Sequence, residues 1–268
     1  MLWSVRFMFG LLRRLGLIVA AGAAGFAAGL LLLARSEQRT WAVVPADVKR
    51  DLPGDELVPV PDAVETRTLR IEAPPEAVWP WLVQMGWGRG GWYSYDKLDM
   101  DRPSADEILD EFQDLAEGDL VHTHPEGGFV ARVVDPGRAL ALYLDTELVQ
   151  GQAEAASAAE TASDALAAEA ASERPAGTVA DTTAGLQAAG IMGALAMPEF
   201  RASWAFVLEP AAGGGTRLIE RLRVWTGQEG LVQQLGLPFF GLGVFLMTRK
   251  HMLGLKERVE RHAAAREG

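Results

Sequence analysis

The sequence predicts an α+β domain, with its helices on one face of an antiparallel sheet, set behind a membrane-crossing helix. Three observations carry this expectation. Leu15–Ala34 is an uncharged apolar run of about 20 residues, the length a helix needs to cross a hydrocarbon core. Short alternating runs divided by turn residues fill the middle of the chain. A helical stripe follows the first strand pattern and a long helical pattern closes the chain, and strands bracketed by helices are the mark of an α+β layer structure.

Residues 1–14 form a short tail that carries Arg6, Arg13 and Arg14, and Arg35 and Arg39 follow the span. The cation count leans toward a cytoplasmic N-terminus and an extracytoplasmic domain, a single-pass protein of the cell membrane. A cleaved signal peptide is the alternative, but the apolar core is long for one and Arg35-Ser36-Glu37 offers no clean small-x-small site. A buried soluble helix would lack a polar face. Gly25 and Gly29 have GxxxG spacing, so a weak homodimer through the span is a further expectation. Residues 35–63 read as a polar connector punctuated by Pro and Gly, long enough to hold a domain off the membrane surface.

The domain proper is expected over 64–268. Glu65–Glu72 alternates, with Thr66, Thr68 and Arg70 on one face and Leu69 and Ile71 on the other, as a half-buried strand does. Pro75 suits a first helical turn, and Val78, Leu82 and Met85 make one stripe. Pro80 conflicts with that helix, which is expected to kink there or start late. Asp119–Thr123, Phe129–Val134 and Ala139–Asp145 read as strands divided by Gly- and Pro-containing turns, and Arg201–Glu209 with Thr216–Trp225 as a hairpin. In the last of these Leu218, Glu220, Leu222 and Val224 alternate with Arg217, Ile219, Arg221, Arg223 and Trp225. A closing helix is expected over Val244–Arg266, with Met252, Leu255 and Val259 inward and the pairs Lys256–Glu260 and Glu257–Arg261 outward. Residues 150–197 interrupt the pattern with an Ala-rich stretch that has no aromatic residue, a composition that buries too little apolar surface to order itself.

A formal charge of −11 argues against a nucleic-acid partner, which would require clustered Lys and Arg. The absence of cysteine removes disulfides, thiolate nucleophiles and cysteine metal sites. In the stretch WLVQMGWGRGGWYSYD (Trp81–Asp96), Gly86, Gly88, Gly90 and Gly91 follow a helical stripe rather than a strand, and no Lys-Ser or Lys-Thr comes after them. That context is wrong for a P-loop or a Rossmann turn, whereas Gly86 stands where a helix C-cap glycine belongs. Trp79, Trp81, Trp87, Trp92, Tyr93 and Tyr95 crowd the same stretch; part must be core, and part suits a wall between apolar and wet surroundings. His122 and His124 share a strand face but lack a third zinc ligand at a recognisable spacing, so no metal is expected. Asp96, Asp99, Asp101, Glu107, Asp110 and Glu111 read as a solvated acidic run, and neither Ser94 nor Ser203 has nucleophile-elbow context. Leu235–Thr248 is apolar for about 14 residues and broken by Pro238. It reads as the start of the last helix, or as a gate or an interfacial segment beside Arg249-Lys250.

The stretch TLRIEAPPEAVWPWLVQMGWGRGGWYSYDKLD, with LPGDELVPVP before it and the Ser203–Pro210 and Thr216–Ile219 patterns after it, resembles the SRPBCC superfamily of START-related and polyketide cyclase/dehydrase-like proteins. Within it the chain is similar to a bacterial branch with an N-terminal transmembrane helix. The likeness covers roughly residues 50–145 and 200–262, and the Ala-rich insertion departs from it at what would be a hairpin tip. It implies a helix-grip fold, in which a curved antiparallel sheet wraps a long C-terminal helix around an apolar cavity. It implies no cofactor and no transferable catalytic residue. The expected function is therefore a membrane-anchored binder of a hydrophobic small molecule, a lipid or a polyketide-like compound. Trp81, Trp87, Arg89, Trp92, Tyr93, Tyr95, Asp96, Trp204, Phe239 and Phe240 are the candidates for the cavity lining or mouth. Two alternatives stand beside it: a cyclase- or dehydratase-like enzyme, and a non-catalytic membrane scaffold.

Overall fold

The computed structural model describes residues 41–100, 102–124, 127–146, 199–227 and 231–267, with a few single positions before residue 41; of 231–240 it describes the backbone alone. Among the described residues no helix is long and apolar enough to cross a membrane. The expected span at 15–34 and the 150–197 insertion lie outside the described residues, apart from isolated helical positions in the span that include Gly25 and Gly29.

The elements run α1 (Pro45–Lys49), β1 (Ala63–Ile71), α2 (Pro75–Val83), α3 (Asp96–Asp99), β2 (Leu120–His124), β3 (Gly127–Asp135), β4 (Ala139–Asp145), β5 (Phe200–Pro210), β6 (Thr216–Thr226) and α4 (Leu231–Glu267). All strand pairings are antiparallel, in the order β1-β6-β5-β4-β3-β2. The fold is thus α+β, a six-stranded antiparallel sheet with a long C-terminal helix, as a helix-grip arrangement requires. Register irregularities between His122 and His124 and between Ala131 and Val133 bend the β2–β3–β4 end of the sheet. β4 and β5 pair as far as Asp145↔Arg201, so the residues between them join adjacent ends of a hairpin.

One face of the sheet forms the core. Ile71, Leu218, Leu208, Phe206, Leu140 and Leu142 pack there with Val78, Trp81 and Leu82 of α2 and Met252, Leu255 and Val259 of α4. Burying each large side chain is worth about 1.5–3 kcal/mol, which places both helices on this face. Gly254 is what lets α4 lie so close to the loop after α2, because a Cβ there would run into the Tyr93 carbonyl oxygen.

Two helix expectations need correction. α2 starts at Pro75 and continues through Pro80 to Val83, so it does not start late. Its missing N–H orphans only the carbonyl of Glu76, an exposed residue that water can serve, while Val78, Trp81, Leu82 and Val83 are buried. α4 begins at Leu231 rather than near Val244 and runs through Pro238. Cooperative extension from the packed second half carries the helix back across that proline for the loss of one i→i−4 bond.

The second half of the expected connector is not a free spacer. The Asp47 carboxylate, 1% exposed, accepts from Thr68 Oγ1 at 2.7 Å and from Arg217 Nη2. Arg221 donates to the Asp47 and Arg50 carbonyls, to Thr66 Oγ1 and to Asp55, and Arg223 donates to the Val58 carbonyl at 2.9 Å. Residues 45–59 are in this way strapped across the convex face of the sheet. Upstream, the Ala42 carbonyl accepts from Thr68 N at 2.7 Å and partly covers the β1 edge.

Candidate functional site

The glycine-rich stretch closes the end of α2. The last carbonyls of a helix have no intrahelical donor, and here each finds one nearby. Gln113 Nε2 reaches Pro80 O at 3.3 Å, Tyr93 Oη reaches Trp81 O at 2.9 Å, and Arg89 Nη2 reaches Val83 O at 2.9 Å. Gly90 N donates to Gln84 O at 2.7 Å, and Gly86 and Gly91 bond each other in both directions. Gly86 (φ 125°) and Gly91 (φ 85°) hold conformations that side chains rarely adopt. The loop binds its own helix end and has no free row of amides for a phosphate.

The expected lining residues separate on this geometry. Trp81 and Tyr93 are core, stacked edge-to-face at 5.9 Å; burial pushes the Tyr93 phenol well up. Trp92 is buried against the Trp204 ring at 5.4 Å. Arg89 is committed to the Val83 and Phe112 carbonyls and lies over the Phe112 ring at 4.7 Å. Asp96 accepts from Ser104 Oγ at 2.5 Å and Ser104 N at 2.9 Å. Trp87 is half-buried, its backbone N–H donating to the His122 carbonyl at 2.7 Å, and Tyr95 is exposed. Phe239 and Phe240 belong to α4, but their side chains lie outside the description. Among the described residues no group of His and carboxylates could hold a metal ion.

What the structure brings together is a charged belt across the concave face. Pairing sets Arg67 of β1 opposite Glu220 of β6, and Glu220 opposite Phe206 of β5. One step along, Glu65 faces Leu222 and Leu222 faces Trp204. To one side of this belt stands the main core; to the other, Leu144, Phe200, Ala202 and Val224 form a separate buried cluster with Leu222 and Phe129 against it. α4 crosses above: Arg67 lies 5.7 Å from the Phe245 ring centre, and the Trp204 ring is 5.3 Å from that of His251.

The belt is short of partners. Glu220 is 3% exposed, and among the described residues Trp204 Nε1 alone donates to it, at 2.8 Å. Burial without an ion pair disfavours its carboxylate and pushes the pKa up to about 8, against the pull of Trp204 and Arg67. Glu65 is likewise raised by burial, opposed by Arg67 at 3.5 Å. Arg67, 5% exposed, donates to the Thr66 carbonyl at 3.1 Å, and its buried Nε has no partner among the described residues. His251 bonds the Trp92 carbonyl through Nδ1 at 2.7 Å, so this nitrogen carries the proton and Nε2 is left as a buried acceptor with no partner among the described residues. Its burial lowers the pKa to about 4. At neutral pH this interior therefore holds an uncharged carboxylic acid and an uncharged imidazole.

The sequence reading picked Trp204 from this belt and missed Glu65, Arg67, Glu220 and His251. The signal was there: period-two alternation puts Glu65 and Arg67 on the same face as Leu69 and Ile71, and Glu220 among Leu218, Leu222 and Val224. His251 stands four residues before the inward Leu255.

No protein-family model matches the chain, and no curated protein does. Among solved structures it is similar to protein MLL2253 from Mesorhizobium loti at 13% identity and a TM-score of 0.34, covering 74% of this chain and 98% of that one. A second likeness is to CalU16 from Micromonospora echinospora at 14% identity and a TM-score of 0.27, covering 75% of this chain and 86% of that one. At these scores neither likeness says what this chain binds.

Proposed function

We propose that this chain is a membrane-tethered binding protein of SRPBCC type, which holds a hydrophobic small molecule between the concave face of the sheet and the first half of α4. The observation that carries it is the belt: among the described residues buried Arg67 Nε has no hydrogen-bond partner and buried Glu220 has the Trp204 donor alone, at the border of a second apolar cluster. Leaving such groups unpaired costs about 1–3 kcal/mol each. A ligand with an apolar body and one polar end would supply the missing partner, its body lying against Leu222, Val224 and Phe200. The tether is the expected helix at 15–34.

The test is native mass spectrometry and organic extraction of the full-length chain purified in mild detergent. A co-purifying amphiphile is expected, retained by the parent chain and lost from a folded Arg67→Leu variant. A parent chain that carries nothing and takes up no lipid would sink the reading. The enzyme alternative is favoured by one observation, the neutral acid Glu220 and neutral base His251 on either side of Trp204. Chemical change of the extracted ligand on incubation with the parent chain, and none with Glu220→Gln, would favour it.

A further inference from the structure

The chain just before α1 meets α4 at a defined place. Trp41 packs edge-on against Phe245 at 6.3 Å, and the Arg249 guanidinium lies 5.4 Å from the Trp41 ring centre. From residue 34, where the expected span ends, to residue 41 is seven steps, and a chain covers at most about 3.6 Å per residue. The expected end of the span is then within about 25 Å of the Trp41 backbone, and the Trp41 ring rests on Phe245 and Arg249 of α4. On the other flank of the same helix turn, Ser94 Oγ donates to the Met247 carbonyl at 3.1 Å and fixes the start of the α3 loop there.

This region exposes apolar side chains that the rest of the fold does not need. Leu98 is 79% exposed, Leu246 46% and Tyr95 42%. Arg249, Lys250 and Lys97 are exposed beside them, cations on a chain whose formal charge is −11. The sequence also sets Asp99 and Asp101 in the α3 loop, so the basic contribution comes from α4. Exposed leucine and tyrosine bordered by Lys and Arg is the chemistry of a segment resting at the lipid headgroup boundary.

We infer that Tyr95, Leu98 and Leu246, bordered by Arg249 and Lys250, seat on the surface of an anionic lipid bilayer. The seating deepens the tethered-binder reading and rests on it for the span, and it would hold the first half of α4 against the source of an apolar ligand.

The chain has no cysteine, so single-cysteine variants report cleanly. Full-length Leu98→Cys and Leu246→Cys, labelled with an environment-sensitive fluorophore, are placed in nanodiscs of phosphatidylserine and phosphatidylcholine containing headgroup-level spin-labelled lipid. Arg138→Cys serves as the control; its side chain is 80% exposed in the β3–β4 turn, at the opposite end of the sheet. The two rim labels are expected to shift to the blue and lose at least half their emission to the quencher, with the control unchanged. Replacing Arg249 and Lys250 by Gln, or removing phosphatidylserine, is expected to reduce that quenching at low salt. Rim labels that behave like the control would overturn the seating, as would release of the chain from the discs by carbonate, which removes the tether as well. Rim quenching without any co-purifying amphiphile would keep the seating and sink the ligand reading; an amphiphile with unquenched rim labels would do the reverse.

Discussion

Glu220 and Arg221 are neighbours on β6, both almost fully buried, and they point to opposite faces of the sheet. Arg221 on the convex face has a full set of acceptors in Asp55, Thr66 and the Asp47 and Arg50 carbonyls. Glu220 on the concave face has one donor, and its proton affinity is displaced by burial. A buried charge that the protein itself satisfies is part of the scaffold. An ionisable group left under-satisfied beside an apolar wall is available to something else. The contrast separates structural from candidate binding groups where burial alone cannot.

The strongest way to break the comparison is Arg221→Ala. It unpairs the Asp47 and Arg50 carbonyls under the strap and leaves Asp55 with Leu52 N and the more distant Arg223 alone, and breaking a buried ion pair costs about 3–5 kcal/mol. Urea unfolding should show that loss, while amphiphile retention in the molecules still folded stays unchanged. A cost below about 1 kcal/mol would mean that the convex network is no more structural than the concave belt.

Next comes pH. The unfolded chain releases the Glu220 proton near 4.5 and the folded chain near 8, so between these values the folded state binds more protons and stability falls as pH rises. His251 acts oppositely: the unfolded chain takes up a proton near 6.5 and the folded chain only near 4, so stability falls as pH drops through that window. Each group contributes a slope of up to about 1.4 kcal/mol per pH unit. The two offset each other between 4.5 and 6.5, and Glu220 acts unopposed from there to about 8. Glu220→Gln should therefore flatten the upper window and leave a rising stability in the lower one. Chemical denaturation across pH reads both, and an unchanged profile would place the Glu220 titration elsewhere. Arg67 and Glu65 are the charged groups beside Glu220 on β1.

Tyr93→Phe tests a neutral buried group that the protein does satisfy. Loss of the hydroxyl leaves the Trp81 carbonyl unpaired, a cost of about 1–2 kcal/mol with ligand retention unaffected. The smallest effect belongs to the solvent side of α4. Glu257→Gln removes a 3.7 Å ion pair to Arg261 between two exposed side chains, and should change the unfolding midpoint by no more than about 0.5 kcal/mol in equivalent stability.

The elements of the fold were legible because local periodicity encodes them. The alternation that marks β1, the five other strands and the Met252–Leu255–Val259 stripe all survive in the structure, with boundaries moved by a residue or two except at the start of α4. The site was less legible. Arg89 and Asp96 drew attention as charged residues among aromatics, yet both serve local backbone and side-chain partners that only the folded loop supplies. The residues of the belt looked like ordinary strand charges. Alternation placed Glu220 inward, but nothing local says whether a partner across the sheet will neutralise it.

The sequence by itself determined the antiparallel α+β architecture, the inward face of each strand and of the last helix, and the structural role of the glycine turn. These follow from side-chain periodicity and backbone sterics within a few residues. Tertiary structure alone decided that residues 45–59 cover the convex face and satisfy its arginines, and that Arg67, Glu220 and Trp204 lie beneath α4 with His251 of that helix against the Trp204 ring. Pairing of charges across strands far apart in sequence depends on register and on what packs above. Hydrogen-bond satisfaction is a property of the assembled neighbourhood, and no local stretch contains it.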